Sequence, residues 1–311
     1  MMTARGTTTA ARTVRGTSSG VRLAGIDAAR GLALLAMMAT HVLATFEPDP
    51  QLTPTWIGLA FSGRAAALFA VLAGVGLALS TGKQQPLEAA ELRAARRGIA
   101  LRALVIGAVG FSLGGLEVNI AVILVHYALL FLCVLPFIGL GVKRLAAFAV
   151  LWILAAPALA YLLRPWLLSA DPPLRLGHNP SWEDLATPDR LLGDLFLTGY
   201  YPVLQWIAYL LVGLVIGRMA LWKGAVPFLL VAAGTVVAVV SKWLGTLMLE
   251  DWGGRQALQA HIAIPRTRWR ACCRSTWPAS TSQAQRGGSP RVHRTPAPRW
   301  TCYTPRGSLP P

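Results

Sequence analysis

Three ionisable side chains lie in one otherwise apolar stretch, GIDAARGLALLAMMATHVLATF, which covers residues 25–46. In an α-helix, Arg30 and His41 are 11 positions apart and about 20° from the same face, and Asp27 is about 40° from His41. All three then share one stripe, with Asp27 and Arg30 at one end and His41 about 16 Å further along. Such a stripe fits a passage or a site that reaches through a membrane.

Polar side chains also fall at a similar depth in four other apolar stretches, namely Arg64, His126, Gln205 and Lys242. Counted from the predicted outer ends of these stretches, His41, Arg64 and His126 are about 8–10 Å deep. An ionised group in the membrane costs about 2.5–3.5 kcal/mol on insertion scales, so such groups usually face a cavity or a partner. The grouping predicts a polar layer in the outer half of the bilayer.

These residues also have simpler interpretations. Asp27 and Arg30 are spaced as an i,i+3 ion pair of the head-group region. A buried histidine can bond a neighbouring backbone or pack against an aromatic side chain, which is the alternative for His41 and His126. A long basic side chain such as Arg64 can extend to the membrane surface. The layer as a whole favours a site more strongly than any single residue does.

The composition indicates an integral membrane protein. Of 311 residues, 54% are hydrophobic and only 14% charged, and the mean hydropathy is +0.52, whereas soluble domains are about 25% charged. The net charge of +16 does not indicate nucleic-acid binding, because residues 255–311 hold ten arginines and no acid. The first 254 residues carry 19 basic and 13 acidic side chains, a net charge of +6. The four cysteines show no metal-binding spacing, and no metal site or disulfide is predicted.

Seven apolar runs are long enough to cross a bilayer, at residues 26–46, 57–80, 99–116, 119–140, 145–163, 198–217 and 226–249. They predict an all-α polytopic transmembrane helix bundle of about seven spans. Basic connectors alternate with acidic or mixed ones, which places the N-terminus in the cytoplasm and the chain, multi-pass, in the cell membrane. The predicted parts are a basic tail (1–24), a transmembrane domain (25–252) and a disordered Arg/Pro-rich tail (253–311). The loop 164–197 is expected to fold over the outer mouth.

The C-terminal composition changes abruptly after about residue 254. Codons that encode TPAPRWTCYTPRG, residues 295–307, can encode HSGTPLDLLHTTG when they are read in a frame that starts one base earlier. Because tryptophan has a single codon, the residue that follows the Trp300 position in the shifted frame must be aspartate. We therefore predict a frameshift between about residues 252 and 266, with the final helices lost. A genuine arginine-rich extension is the alternative, but it would place ten arginines on the outer face.

Several segments resemble the bacterial membrane family related to heparan-alpha-glucosaminide N-acetyltransferase. The strongest are GIDAARG and GRAAALFAVLAG, and the later segments VILVHYALLFLCVLPF and LTGYYPVLQWIAYLLVGLVIGR also fit. The resemblance implies a membrane-bound acetyltransferase that takes acetyl-CoA, as co-substrate, on the cytoplasmic side. By the same resemblance, Asp27 and Arg30 would bind near the CoA end, and His41 would lie near the acyl-transfer centre.

The sequence therefore favours transfer of an acyl group from cytoplasmic acyl-CoA to an extracytoplasmic glycan or lipid-linked acceptor. His41 would act as base or acyl carrier. Arg64 would stabilise the oxyanion, and His126 would support the reaction. The expected partners are the lipid bilayer, the acyl-CoA and the acceptor, and no nucleic acid is expected. The sequence is compatible with a homo-oligomer. The alternatives are a multi-span transporter or flippase that uses the same polar layer, and a non-functional truncated protein.

Overall fold

The computed structural model describes residues 24–48, 53–116, 120–168, 177–221, 224–254 and 256. The basic N-terminal tail and the frameshifted C-terminal segment predicted above therefore lie almost entirely outside the described residues. The described ranges are all-α, as predicted, and contain no β-strand. Their nine α-helices are α1 (Ala24–Val42), α2 (Trp56–Phe61), α3 (Arg64–Ser80), α4 (Ala89–Gly114), α5 (Leu124–Val134), α6 (Val142–Leu168), α7 (Pro188–Gly193), α8 (Val203–Arg218) and α9 (Ala225–Thr246).

The second predicted run, 57–80, consists of two helices. The Thr55 side chain caps α2 by accepting a hydrogen bond from the Gly58 backbone N–H at 3.2 Å. Gly63, with a φ of +72°, then separates α2 from α3. A residue with a side chain rarely adopts this φ, so the glycine sets the position of the break. Arg64 is consequently the first residue of α3 and does not lie in the middle of a continuous helix.

The centre of the fold is the packing of α3 against α8, where glycines allow two backbones to approach closely. A Cβ added to Gly74 would collide with the Leu210 carbonyl oxygen, and one added to Gly213 would collide with the Val71 carbonyl oxygen. Small residues at helix contacts are typical of membrane bundles, where close van der Waals packing drives association. The neighbouring core contains fully buried leucines of α5, α6 and α8.

The predicted count of seven spans is not confirmed. Four helical segments in the described ranges are long and apolar enough to cross a membrane: Trp56–Ser80, Ala89–Gly114, Val142–Leu167 and Ala225–Asp251. A fifth is possible if Pro188–Thr198 and Val203–Arg218, bent by 55°, form one broken span. Two of the predicted runs do not form helices that are long and apolar enough to cross a membrane. Helix α5 has only 11 residues, and α1 carries ionisable groups that lower its hydropathy.

The bent segment has an unusual backbone. Helix α7 passes directly into a π-helical turn, Asp194–Thr198, and α8 begins at Val203 after Gly199 and Pro202. The wider π-helical turn displaces side chains from their α-helical positions, and such turns are frequent at functional sites. This break replaces the continuous helix predicted over residues 198–217.

The chain divides into two compact units, Met1–Thr235 and Val236–Pro311. The first contains α1 to α8 and all the candidate site residues except Lys242. In the second unit, the later part of α9 continues into a π-helical turn, Leu247–Asp251. Lys242 is exposed there, and its backbone carbonyl accepts a hydrogen bond from the Thr246 hydroxyl at 3.2 Å.

Candidate functional site

A cavity of about 980 Å³ lies among α1, α3, α4 and α5. Its lining is charged at one end, where it includes Asp27, Arg30, Lys83 and Arg102. The rest of the lining is mainly apolar and aromatic, with Phe69, Ile106, Ile123, Tyr127 and Phe131. The cavity thus combines a net positive end with an apolar end, and two of the predicted site residues, Asp27 and Arg30, line it.

Arg30 connects α1 to α3. Its guanidinium lies 3.6 Å from the Asp27 carboxylate, the i,i+3 pair that the spacing predicts, and donates a 3.0 Å hydrogen bond to the Leu72 carbonyl. The guanidinium occupies the space beside Gly76, where an added Cβ would collide with it. Because both side chains of the ion pair are substantially exposed, the pair itself contributes little to stability. The Asp27–Arg30 pair matters mainly because it places a guanidinium on the wall of the cavity.

A buried arginine holds the segment that presents Lys83. The turn after α3 contains Gly82 (φ +100°) and Lys83 (φ +55°). Arg218 is 2% exposed and donates hydrogen bonds to the Lys83 carbonyl at 2.7 Å and the Thr81 carbonyl at 2.8 Å. It also donates to the Ile138 carbonyl and, at 3.3 Å, to the Thr81 hydroxyl. In the sequence Arg218 was counted only as a connector charge, and its buried position was not foreseen.

The apolar end of the cavity contains a phenol. The Tyr127 ring contacts Phe69 and Phe131, with centroid distances of 5.5 and 5.7 Å. Its hydroxyl is buried and has no hydrogen-bond partner among the described residues.

His126, the next residue on α5, is fully buried. Its ring meets Tyr201 edge-on at a centroid distance of 5.8 Å, which fits the packing interpretation given above. Neither ring nitrogen, however, has a hydrogen-bond partner in the described part of the chain. A buried imidazole without partners is costly, so packing alone does not account for it.

Two residues that sequence reasoning missed, Asp194 and His178, lie near His126. Asp194 is 2% exposed, and its Oδ1 accepts a 3.2 Å hydrogen bond from the Thr198 hydroxyl. His178 Nδ1 lies 4.0 Å from Asp194 Oδ2, and His178 Nε2 lies 3.4 Å from an oxygen of Asp184. We call His126, Asp194, His178 and Asp184 the His–Asp cluster.

Gly199 packs against the two most buried members of this cluster. A Cβ added to Gly199 would lie 2.7 Å from His126 Nε2 and 3.3 Å from Asp194 Oδ2. A residue larger than glycine would therefore have to displace the His126 ring. The signal in the sequence was the run DLFLTGYYP, where an acid precedes a Thr–Gly pair in an otherwise apolar stretch.

The described part of the 164–197 loop packs against the start of α5. The Asn179 amide accepts a 2.7 Å hydrogen bond from the Val122 N–H and donates one of 2.8 Å to the Ile120 carbonyl. Trp182 donates a 3.1 Å hydrogen bond to the Ser112 hydroxyl at the end of α4. These contacts fix the loop segment that carries His178.

Three other predicted polar residues, His41, Arg64 and Gln205, belong to neither the cavity wall nor the His–Asp cluster. His41 is exposed at the penultimate position of α1, and Arg64 is exposed and donates a hydrogen bond to the Leu59 carbonyl. Gln205 is half-buried near the start of α8. His126 is the third residue of α5, since this helix begins later than predicted. The depths counted from the predicted helix ends therefore change, and the cavity lining includes neither His41 nor Arg64 nor His126.

Within the described ranges, no group of three or more His, Cys, Asp or Glu side chains is arranged to hold a metal ion.

Comparison with known proteins identifies the family. The profile described as "Heparan-alpha-glucosaminide N-acetyltransferase, catalytic" matches residues 22–249. No curated protein and no solved structure gives a significant match. The match covers most of the chain, including every helix that forms the cavity and the His–Asp cluster. The chain therefore belongs to the heparan-alpha-glucosaminide N-acetyltransferase catalytic family.

Proposed function

We propose that this protein is a membrane-bound acyltransferase that moves an acetyl group from acetyl-CoA to an extracytoplasmic sugar or lipid-linked acceptor. The observation that carries the proposal is the 980 Å³ cavity with Arg30, Lys83 and Arg102 at one end. CoA carries a pyrophosphate and a ribose phosphate, and Arg and Lys side chains are the usual partners of such groups. The family's name supports the acetyl donor.

The cavity has the form that a long, two-ended donor requires. Lys83 and Arg102 are exposed and therefore accessible to phosphates from water. The apolar walls and the Tyr127 ring would receive the pantetheine arm and the thioester. The volume lies at the upper end of the usual 300–1,000 Å³ range for small-molecule sites. Arg30 would neutralise phosphate charge, and Asp27 would hold Arg30 in place.

The proposed orientation places the charged end of the cavity in the cytoplasm. Lys83 lies in the connector after α3, and Arg93, Arg96 and Arg97 follow it in the first part of α4. The excess of basic residues in cytoplasmic connectors supports this orientation in the cell membrane. The acceptor would then approach from the opposite side, where the 164–197 loop lies.

His41, Arg64 and His126 keep the proposed roles of base or acyl carrier, oxyanion partner and supporting residue. The three side chains differ in burial, and burial decides which of them is best suited to act as a general base. A general base works best where water is excluded and its geometry is fixed. Only His126 has this environment, since His41 and Arg64 are exposed.

The test is acetyl-CoA binding by the full chain in lipid nanodiscs. A Lys83→Ala, Arg102→Ala double variant should bind acetyl-CoA about 10²–10⁴ times more weakly, because each of the two lost hydrogen bonds to a charged group contributes about 1.5–3 kcal/mol. A matched Lys143→Ala, Arg144→Ala variant removes two exposed charges on α6 outside the cavity and should bind normally. Equal affinity in both variants, or no transfer of label from [acetyl-¹⁴C]acetyl-CoA to any membrane glycan, would refute the proposal.

A further inference from the structure

Arg102 lies well inside α4, one of the helices that are long and apolar enough to cross a membrane. The helix begins at Ala89, ten residues before the run predicted from hydropathy, so Arg102 is the fourteenth of its 26 residues. The side chain forms no hydrogen bond or ion pair with any residue that the structure describes. An arginine inside a membrane normally faces a cavity or a charged partner and marks a ligand site. Since Arg102 lines the cavity, we expect its partner to be a ligand there.

Three elements of the fold meet at one level, at the charged end of the cavity. Arg218 donates hydrogen bonds to the carbonyls of Lys83, after α3, and of Ile138, after α5. Arg96 of α4 donates a 3.1 Å hydrogen bond to the Leu135 carbonyl at the end of α5. Lys83, the end of α5 and Arg96 therefore lie at a similar height, which we call the mouth level.

Arg102 lies deeper in the cavity than the mouth level. A Cβ added to Gly107 would lie 3.2 Å from the Ala128 Cβ, so α4 runs along α5 from the mouth level toward the start of α5. Arg102 follows Arg96 by six residues, which places its backbone about 9 Å below the mouth level.

Arg30 reaches a similar depth from the opposite wall of the cavity. Its guanidinium occupies the space beside Gly76 of α3. Gly76 precedes Ser80, the last residue of α3, by four positions, which is about 6 Å along the helix. Lys83 lies just beyond that end, at the mouth level. We call Arg30 and Arg102 the inner arginines, because both lie below Lys83.

We propose that the inner arginines bind the diphosphate of the acyl donor and that Lys83 binds its ribose phosphate. This inference rests on the proposed acyltransferase function. In CoA the diphosphate lies between the pantetheine arm and the adenosine, and the ribose phosphate branches from the adenosine. With the thioester at the apolar end of the cavity, the diphosphate is therefore the deeper group. Guanidinium groups bind phosphate oxygens in pairs, whereas an ammonium acts as a point charge.

The depth of the inner arginines also selects the class of donor. The phosphopantetheine arm of a carrier protein has one phosphate, which is joined directly to the carrier's backbone. That phosphate reaches the inner arginines only if part of the carrier protein enters the membrane. CoA ends in a small nucleoside that the mouth of the cavity can receive. The site should therefore use CoA thioesters and reject thioesters of carrier proteins.

The experiment measures binding of three donors to the full chain in lipid nanodiscs. Acetyl-dephospho-CoA lacks the ribose phosphate, and acetyl-pantetheine lacks every phosphate. Arg102→Gln should weaken acetyl-CoA and acetyl-dephospho-CoA equally, by about 10–100-fold, and leave acetyl-pantetheine unchanged. Lys83→Gln should weaken acetyl-CoA roughly tenfold and leave acetyl-dephospho-CoA unchanged. Arg97→Gln, at an exposed position of α4 outside the cavity, is the matched control and should bind all three normally.

The pattern across the donors decides the assignment. Normal binding of acetyl-CoA by Arg102→Gln would overturn it, as would an equal loss for all three donors. If Arg102→Gln does not fold, Arg102→Lys keeps the charge without the planar fork, and a uniform loss in that variant would overturn the assignment equally. Transfer from an acetylated carrier protein as fast as from acetyl-CoA would contradict the selection of the donor. Failure of the unaltered protein to bind acetyl-CoA would refute the proposed function instead.

Discussion

Replacing Arg218 with methionine should destabilise the protein and weaken donor binding together. Methionine fills a similar apolar volume but donates no hydrogen bond. The change would leave the buried carbonyls of Thr81 and Ile138 without the donor that they have in the structure. Each unsatisfied buried carbonyl costs about 1–3 kcal/mol, so the loss in stability should be about 2–6 kcal/mol.

The donor effect follows from the Lys83 carbonyl. Arg218 holds this carbonyl at 2.7 Å and so fixes a turn in which Lys83 has a positive φ. Without that contact the turn can relax, and the Lys83 ammonium would no longer be fixed at the cavity. The KM for acetyl-CoA should rise by up to roughly tenfold, which corresponds to one charge-assisted hydrogen bond of about 1.5 kcal/mol.

The assay combines thermal unfolding in detergent with steady-state transfer kinetics. Arg218→Lys keeps the charge but loses the planar fork, so it should fall between Arg218→Met and the unaltered protein. Arg144→Met, the same change at an exposed position of α6, is the control and should alter neither quantity. A normal KM in an Arg218→Met protein that is clearly less stable would refute the link between Arg218 and Lys83. Unchanged stability of Arg218→Met would refute the argument that the buried carbonyls of Thr81 and Ile138 depend on Arg218 as their hydrogen-bond donor.

Three further predictions concern other parts of the chain. Gly213→Val should destabilise the α3–α8 contact by about 1–3 kcal/mol or more. The control Gly98→Val, at a position where an added Cβ meets nothing within 4 Å, should be tolerated. Equal losses of stability in thermal unfolding of the two variants would contradict the close approach of α3 and α8. Gly199→Ala should place its methyl group 2.7 Å from His126 Nε2 and destabilise the protein by about 1–3 kcal/mol, so unchanged thermal unfolding would contradict the tight packing at this glycine. Sequencing the gene around codons 250–270 should reveal a shifted reading frame, and an unbroken frame that leads into a genuine 3′ end would disprove the slip.

Much of the fold could be predicted because apolar periodicity reports helices directly. Each of the seven predicted runs contains a helix, and GRAAALFAVLAG lies in α3, which packs closely against α8. The breaks could not be predicted in the same way. Hydropathy does not register a positive φ such as that of Gly63, nor a π-helical turn such as Asp194–Thr198. The span count differs from seven because α5 has only 11 residues, α1 carries ionisable groups, and α8 is separated from α7 by the break at the π-helical turn.

The cavity wall was partly predictable, and the His–Asp cluster was not. Asp27 and Arg30 were found because charges inside an apolar helix are costly and rare. Lys83 and Arg218 were used only as basic connector residues that orient the chain in the membrane. The sequence does not show whether such a side chain points to water or into a packed core. His178 lies in a polar loop, where a histidine attracts no notice until the chain brings it within 4.0 Å of Asp194.

A cryo-EM map of the full chain in nanodiscs with acetyl-CoA tests the central claim most directly. The claim is that the cavity lined by Arg30, Lys83 and Arg102 is the donor site. The account predicts density for the CoA phosphates at these three side chains and for the thioester beside Tyr127. Density for acetyl-CoA elsewhere on the protein, with this cavity holding only lipid or water at a saturating donor concentration, would contradict it.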